Sequence, residues 1–195
     1  MKQIECDALF PQRVWKTTLD LDVKTLTDHV LELEKNDSKG NQLSNINGWQ
    51  SKSLKSTDLN SGNEPHRMMS KILHVVNSCA SSCGISELDF GNYWFNINRR
   101  GCMNASHTHP KSVLSGVFYI NTNEQDGNIV FERSDNAELY LPEGLNNGNF
   151  YTSQTIEYKP SVNTLYIFGS WMRHWVKPNN TNSNRISVSF NTYAK

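Results

Sequence analysis

The sequence has no charge of one sign to spare. Its 19 Lys and Arg are matched by 19 Asp and Glu, for a formal net charge of +0 at pH 7. No run of Lys or Arg stands out, whereas a nucleic-acid-binding body carries a basic face. Nucleic acid is therefore not an expected partner. No apolar stretch approaches the ~20 residues that a membrane-spanning helix needs. The opening MKQIECDALF places acids where a signal peptide has its apolar run. The expectation is a soluble protein of the cytoplasm, or of the host cytoplasm if the chain is viral. Cysteine is scarce, at positions 6, 79, 83 and 102. Cys79 and Cys83 could share a helix face, but no further ligands stand nearby to complete a zinc site. Four reduced thiols are expected. Composition leaves the oligomeric state open, with a homodimer possible.

What is present suits a single domain over residues 1–195, long enough to bury a core. Residues 1–85 read as a helical flank with a loop. Val23, Leu26, Val30 and Leu33 recur at helical spacing, with Asp20 or Asp22 available as a cap. A second helix runs from about Pro65, with Met69, Leu73, Val76 and Ala80 on one stripe. Between them, residues 36–63 are rich in Ser, Asn, Lys and Gly and read as a long loop pinned by Ile46 and Trp49. From residue 86 the period becomes that of strands: 93–98, 113–121, 128–133, 150–158, 164–170 and 185–193. Short strands separated by Gly and Asn turns predict a mainly β sandwich or barrel, with the helices outside it.

The last strand alternates cleanly. Ile186, Val188 and Phe190 face one way, and Arg185, Ser187, Ser189 and Asn191 the other. Among the six histidines, His29, His66 and His74 have no partner at ligand spacing and read as structural or solvent-facing. His107 and His109, two apart in an extended segment, present both imidazoles on one face. Alone, that pair fits surface polarity better than it fits a metal. His174 lies between Trp171 and Trp175, a setting that also suits a packed core histidine. A third imidazole on a separate strand is nevertheless what a three-ligand site requires. Arg185 follows eleven residues later with Ser187 on its face. A guanidinium can clamp a carboxylate bidentately and a hydroxyl can add a bond.

The order His107-Thr108-His109, then His174, then Arg185-Ile186-Ser187 resembles the Fe(II)/2-oxoglutarate-dependent oxygenases. The stretch VLSGVFYINTNEQDGNIVFER is similar to the tyrosine-bearing strand pair of the prolyl-hydroxylase-like subgroup. The segments LFP (9–11), GWQS (48–51), WFNIN (94–98), SHTHP, SGVFY and HWVKPN resemble short bacterial and phage members of the superfamily, across nearly the whole chain. The resemblance implies a double-stranded β-helix, or jelly roll, over 86–195. It also implies Fe(II) on His107, His109 and His174, and 2-oxoglutarate as cosubstrate, gripped by Arg185 and Ser187 with Tyr119 nearby. Asn98 is a further residue that could touch the cosubstrate, although a turn-forming role is equally consistent. The implied activity is a dioxygenase: O₂ and 2-oxoglutarate give succinate and CO₂ while an unidentified substrate is hydroxylated. That substrate is expected to approach near residues 36–63 or 134–149. One position departs from the wider pattern: His109 stands where the family places an aspartate. Two other readings stay open on residues alone. One is a three-His enzyme without 2-oxoglutarate, such as a zinc hydrolase or cupin dioxygenase. The other is a non-catalytic jelly-roll binding module.

Overall fold

The computed structural model describes residues 4–123, 125–142 and 148–195. In chain order its elements are β1 (Val14–Thr18), α1 (Val23–Asn36), β2 (Asn45–Ile46), β3 (Trp49–Gln50), α2 (Glu64–Ser81), β4 (Leu88–Asn98), β5 (Met103–His107), β6 (Leu114–Asn121), β7 (Ile129–Glu132), β8 (Thr155–Tyr158), β9 (Thr164–Gly169), β10 (His174–Val176) and β11 (Arg185–Ala194). The strands form two antiparallel sheets. The larger has the order β1-β9-β6-β11-β4-β3, and the smaller β2-β5-β10-β7-β8. Two facing sheets with these crossovers give the jelly roll expected from the sequence.

Both helices begin where their side chains can satisfy free backbone N–H groups. Asp22 accepts from the amides of Lys24 and Thr25, and Asn63 accepts from His66 with Pro65 in the first turn. Leu26 and Val30 of α1 are buried, as are Met69, Val76 and Ala80 of α2. On α2 the buried stripe runs through Ile72, while Leu73 lies beside it and is only partly covered. These faces pack on the outer surface of the large sheet, against Tyr93, Phe95 and Ile97 of β4, Phe118 and Ile120 of β6, and Ile186, Val188 and Phe190 of β11. Complete burial of an aliphatic or Phe side chain stabilises by about 1.5–3 kcal/mol, so this helix–sheet layer is the main source of stability. A second, smaller core of Val117, Tyr119, Ile129, Phe131, Tyr166, Phe168 and Met172 lies between the sheets.

Residues 1–85 are not only helix and loop. β1 pairs with β9 from Val14↔Phe168 to Thr18↔Thr164, closing one edge of the large sheet. β2 and β3 extend the opposite edges of the two sheets. In the 36–63 stretch Trp49 is the pin: it is buried and its indole N–H donates to Asp37 O at 2.8 Å. Ile46 is 41% exposed and pins nothing. Residues 150–154 are not strand; only 155–158 pair, with β7.

Candidate metal centre and cosubstrate chamber

The inner face of the large sheet is set by period-2 alternation. On β4, Trp94, Asn96 and Asn98 point away from the helix-packed core. On β11, Arg185, Ser187 and Ser189 do the same. The register aligns these rows as Arg185↔Asn98, Ser187↔Asn96 and Ser189↔Trp94, and sets Ser187 opposite Tyr119 of β6. Facing them, the small sheet contributes His107 at the end of β5 and His174 at the start of β10, which are direct partners in the ladder. His109, two residues beyond β5, is fixed by its backbone N–H donating to Ser170 O at 2.9 Å. All seven residues singled out in the sequence, namely Asn98, His107, His109, Tyr119, His174, Arg185 and Ser187, line one chamber between the sheets.

Each of the three imidazoles offers a ligand nitrogen, and these atoms all lie within 4.8 Å of one another. Their ring centroids are 4.4 Å (His107–His174), 4.9 Å (His107–His109) and 5.2 Å (His109–His174) apart. The Nδ1 of His107 lies 2.7 Å from Ala105 O, and the Nδ1 of His174 lies 2.9 Å from Met172 O. A carbonyl can only accept, so both Nδ1 atoms carry the proton and each Nε2 presents a lone pair. Backbone carbonyls that fix the tautomer in this way are the usual outer support of metal-binding histidines. Burial lowers the basicity of all three. It brings His109 to about 3, with His174 and His107 adding repulsion, and His174 to about 4, with His107 adding repulsion. His107 is lowered too, chiefly by burial and further by nearby Arg173. All three are therefore neutral at pH 7, the form that binds a metal. His174 is packed by Phe168 (4.7 Å) and Phe131 (5.8 Å), not by the two tryptophans that flank it in sequence. Trp171 is largely exposed instead.

Arg185 is 2% exposed. Its Nη1 donates to the carbonyls of Asp126, Gly127 (3.1 Å) and Lys177 (3.3 Å). Its Nη2 is buried and has no partner among the described residues. A guanidinium held on one side by carbonyls and bare on the other can receive a carboxylate in the chamber. The hydroxyl of Tyr119, pushed up to about 12 by burial and eased down by Arg185, makes no hydrogen bond to the described residues and stays protonated. Sequence reasoning missed Trp94, whose ring lies 5.9 Å from that of His109, and Asn96, whose buried Oδ1 has no partner among the described residues. The alternation within WFNIN carried that signal. It also missed the three carbonyls that hold Arg185, for which no side-chain pattern exists. No described residue of the 134–149 stretch lines the chamber or the groove outside it, and residues 143–147 lie outside the described residues.

The comparisons agree with this geometry. A family model described as "Putative 2OG-Fe(II) oxygenase" matches residues 92–191, just over half of the chain. The protein belongs to this family of iron- and 2-oxoglutarate-dependent oxygenases. No curated protein matches the sequence. Similar solved structures include a Pseudomonas putida prolyl-4-hydroxylase (12% identity, 93% of this chain and 92% of that one, TM-score 0.62). The viral collagen prolyl hydroxylase of Paramecium Bursaria Chlorella virus-1, in its 2-oxoglutarate complex, gives 13% identity, 93% and 96% coverage, and a TM-score of 0.61. A Trichoplax adhaerens prolyl hydroxylase gives 14%, 92% and 83%, and 0.63. At such identities the likeness is one of fold.

Proposed function

We propose that His107, His109 and His174 hold the iron through their Nε2 atoms, and that Arg185 anchors the far carboxylate of 2-oxoglutarate, with Ser187, Tyr119 and Asn98 around the cosubstrate. The observation that carries this is the bare, buried Nη2 of Arg185, which opens into the same chamber as the three imidazoles. When bound, the iron supplies the redox chemistry that couples decarboxylation of 2-oxoglutarate to oxidation of a substrate C–H bond. The chain supplies orientation. The carbonyls of Ala105 and Met172 aim two imidazoles, and those of Asp126, Gly127 and Lys177 aim the guanidinium. Val117, Ile129, Phe168 and Val176 line the chamber with apolar surface that excludes water. With His109 in place of a carboxylate, the ligand set carries one more positive charge than two histidines and an aspartate would. Such a set also takes Zn(II), Ni(II) or Cu(II) readily. A three-His zinc hydrolase has no use for the bare guanidinium, so the oxygenase reading is favoured.

Uncoupled turnover tests the reading. Native protein with Fe(II), O₂ and 2-oxoglutarate is expected to form succinate without any added substrate. Arg185→Met is expected to lose 2-oxoglutarate binding while retaining metal. Loss of a buried partner of a charge costs about 2–5 kcal/mol, or roughly 30- to 5,000-fold in affinity. Iron-loaded native protein that neither binds nor consumes 2-oxoglutarate refutes the proposal.

A further inference from the structure

Outside the chamber lies a second space, a groove of about 600 Å³ that shares Trp94, His107 and His109 with it. That volume is within the range of small-molecule sites. Its floor continues the inner ladder of the large sheet by one more pair, Asn191↔Asn92. Its far wall is the 41–44 segment before β2. Among the described residues that line it there is no Lys, Arg, Asp or Glu. Glu132, which accepts from Ser106 Oγ at the groove's edge, faces Arg173 at 3.8 Å, so that pair adds no net charge.

In place of charge, the groove presents five carboxamides, those of Asn41, Gln42, Gln50, Asn92 and Asn191. Two of them are braced. Asn191 Oδ1 accepts from Ser115 Oγ at 2.7 Å, Asn191 Nδ2 donates to Asn92 Oδ1 at 3.1 Å, and Asn92 Nδ2 donates to Ser53 Oγ at 3.0 Å. Gln50 differs: it is 3% exposed, yet its carboxamide makes no hydrogen bond to the described residues. The indole N–H of Trp94, on the boundary between groove and chamber, likewise makes no hydrogen bond to the described residues. Both groups are therefore free to pair with a ligand that can donate to and accept from them.

We propose that the groove binds an uncharged saccharide, with one sugar ring stacked on Trp94 and its hydroxyls bonded to the Gln50, Asn92 and Asn191 amides. The inference rests on the oxygenase reading and names the substrate class for it: a ring C–H becomes C–OH as O₂ and 2-oxoglutarate become succinate and CO₂. Each hydroxyl both donates and accepts, and each carboxamide offers both functions. The C–H face of a sugar ring suits the apolar face of an indole, and Trp94 stands 5.9 Å from His109, so a ring stacked there borders the metal site. With the metal's charge taken up by 2-oxoglutarate, a charged ligand meets no countercharge in the described groove lining and loses solvation on entering. An extended peptide reads a free strand edge. Here the bordering strands β2 and β3 have two residues each, and backbone groups in and beside them are engaged: Gln50 O accepts from Asn41 N, Ser44 O from Ala105 N, and Ser51 N donates to Phe95 O.

The test uses the full chain loaded with Zn(II), which holds the site without turnover. Saturation-transfer NMR reads binding of N-acetylglucosamine, maltose and cellobiose, of galacturonate and glucosamine as charged counterparts, and of a proline-rich peptide and adenosine. 2-Oxoglutarate affinity is measured in the same samples by calorimetry. At least one neutral saccharide is expected to bind, with at least tenfold preference over its charged counterpart. Gln50→Leu, outside the chamber, is expected to weaken it at least tenfold with 2-oxoglutarate affinity unchanged, and Trp94→Ala to weaken it at least tenfold. If no neutral saccharide binds, or if a charged sugar, the peptide or adenosine binds as well or better, the saccharide assignment falls. Loss of 2-oxoglutarate binding in the native chain instead overturns the Arg185 reading. Saccharide binding does not require that reading, so the two failures are separable.

Discussion

Gly127→Ala isolates the support of Arg185 from Arg185 itself. Gly127 has φ +89°, in the region that L side chains avoid, and a Cβ there would overlap the carbonyl of Lys177 and approach that of Pro178 to 2.6 Å. Neither carbonyl is the end of a flexible side chain, so backbone must move. The strained conformation costs about 1–3 kcal/mol. For a chain of this size roughly 1 kcal/mol lowers Tm by about 2–4 °C, giving an expected fall of about 2–12 °C. Binding should change as well, because the carbonyls of Gly127 and Lys177 are two of the three that hold Nη1. Moving them turns Nη2 away from the carboxylate, and loss of one charge-assisted hydrogen bond, about 1.5–3 kcal/mol, weakens 2-oxoglutarate roughly 10- to 150-fold. Metal affinity should change less than 2-oxoglutarate affinity, since none of the three histidines lies in this turn. Gly62→Ala is the control: its φ is +85° but nothing lies within 4 Å of the added Cβ, so it should lower Tm alone. Calorimetric titration with 2-oxoglutarate on Zn(II)-loaded variants decides. Gly127→Ala with native 2-oxoglutarate affinity shows that these carbonyls do not position the guanidinium.

Two further outcomes follow from the structure. The metal-free protein should lose stability as pH falls below about 6.5. His109 and His174 bind protons near 3 and 4 when folded but near 6.5 when unfolded, so the unfolded state takes up more protons in that window. The slope is up to about 1.4 kcal/mol per pH unit for each imidazole, levelling off below the folded values. Urea titrations in EDTA at pH 7.5, 6 and 5 check this, and equal stability at all three contradicts it. Asp22→Ala removes the acceptor for Lys24 and Thr25 at the start of α1. It should cost about 1 kcal/mol, a fall of about 2–4 °C in Tm, without any change in metal or 2-oxoglutarate affinity.

The long elements were readable because their period was unbroken. β11 alternates over its ten residues, and α1 keeps an apolar stripe from Val23 to Leu33. The site was readable because a His pair, a distal His and an Arg-x-Ser recur in a known order. In the small sheet β7 and part of β8 were readable, but the other strands were not. β10 has three residues and β2 has two, too few for any alternation to show, and their partners are fixed only by the tertiary fold. β1 is a five-residue segment, VWKTT, half exposed at a sheet edge, with little pattern to distinguish it from a loop. The surroundings of His174 were misjudged because neighbours in sequence point to opposite faces of a strand. Its real neighbours, Phe131 and Phe168, come from β7 and β9.

The pairing of His107 with His174 across the β5–β10 ladder has a consequence for folding as well as for chemistry. The large sheet is locked by long strands and two helices, whereas the small sheet relies on strands of two to five residues and on a ladder whose register slips just after this pair. On the proposed ligand set, an ion shared by the two imidazoles would act there as a removable rivet, closing a long chain loop at a seam of short strands. Removing it should free the small sheet to open while the large one stays shut. Amide hydrogen exchange would then rise at β5, β7 and β10 with little change at β4 and β11. Iron supply would in this way set the local rigidity of the protein and its resistance to proteolysis, in addition to its turnover.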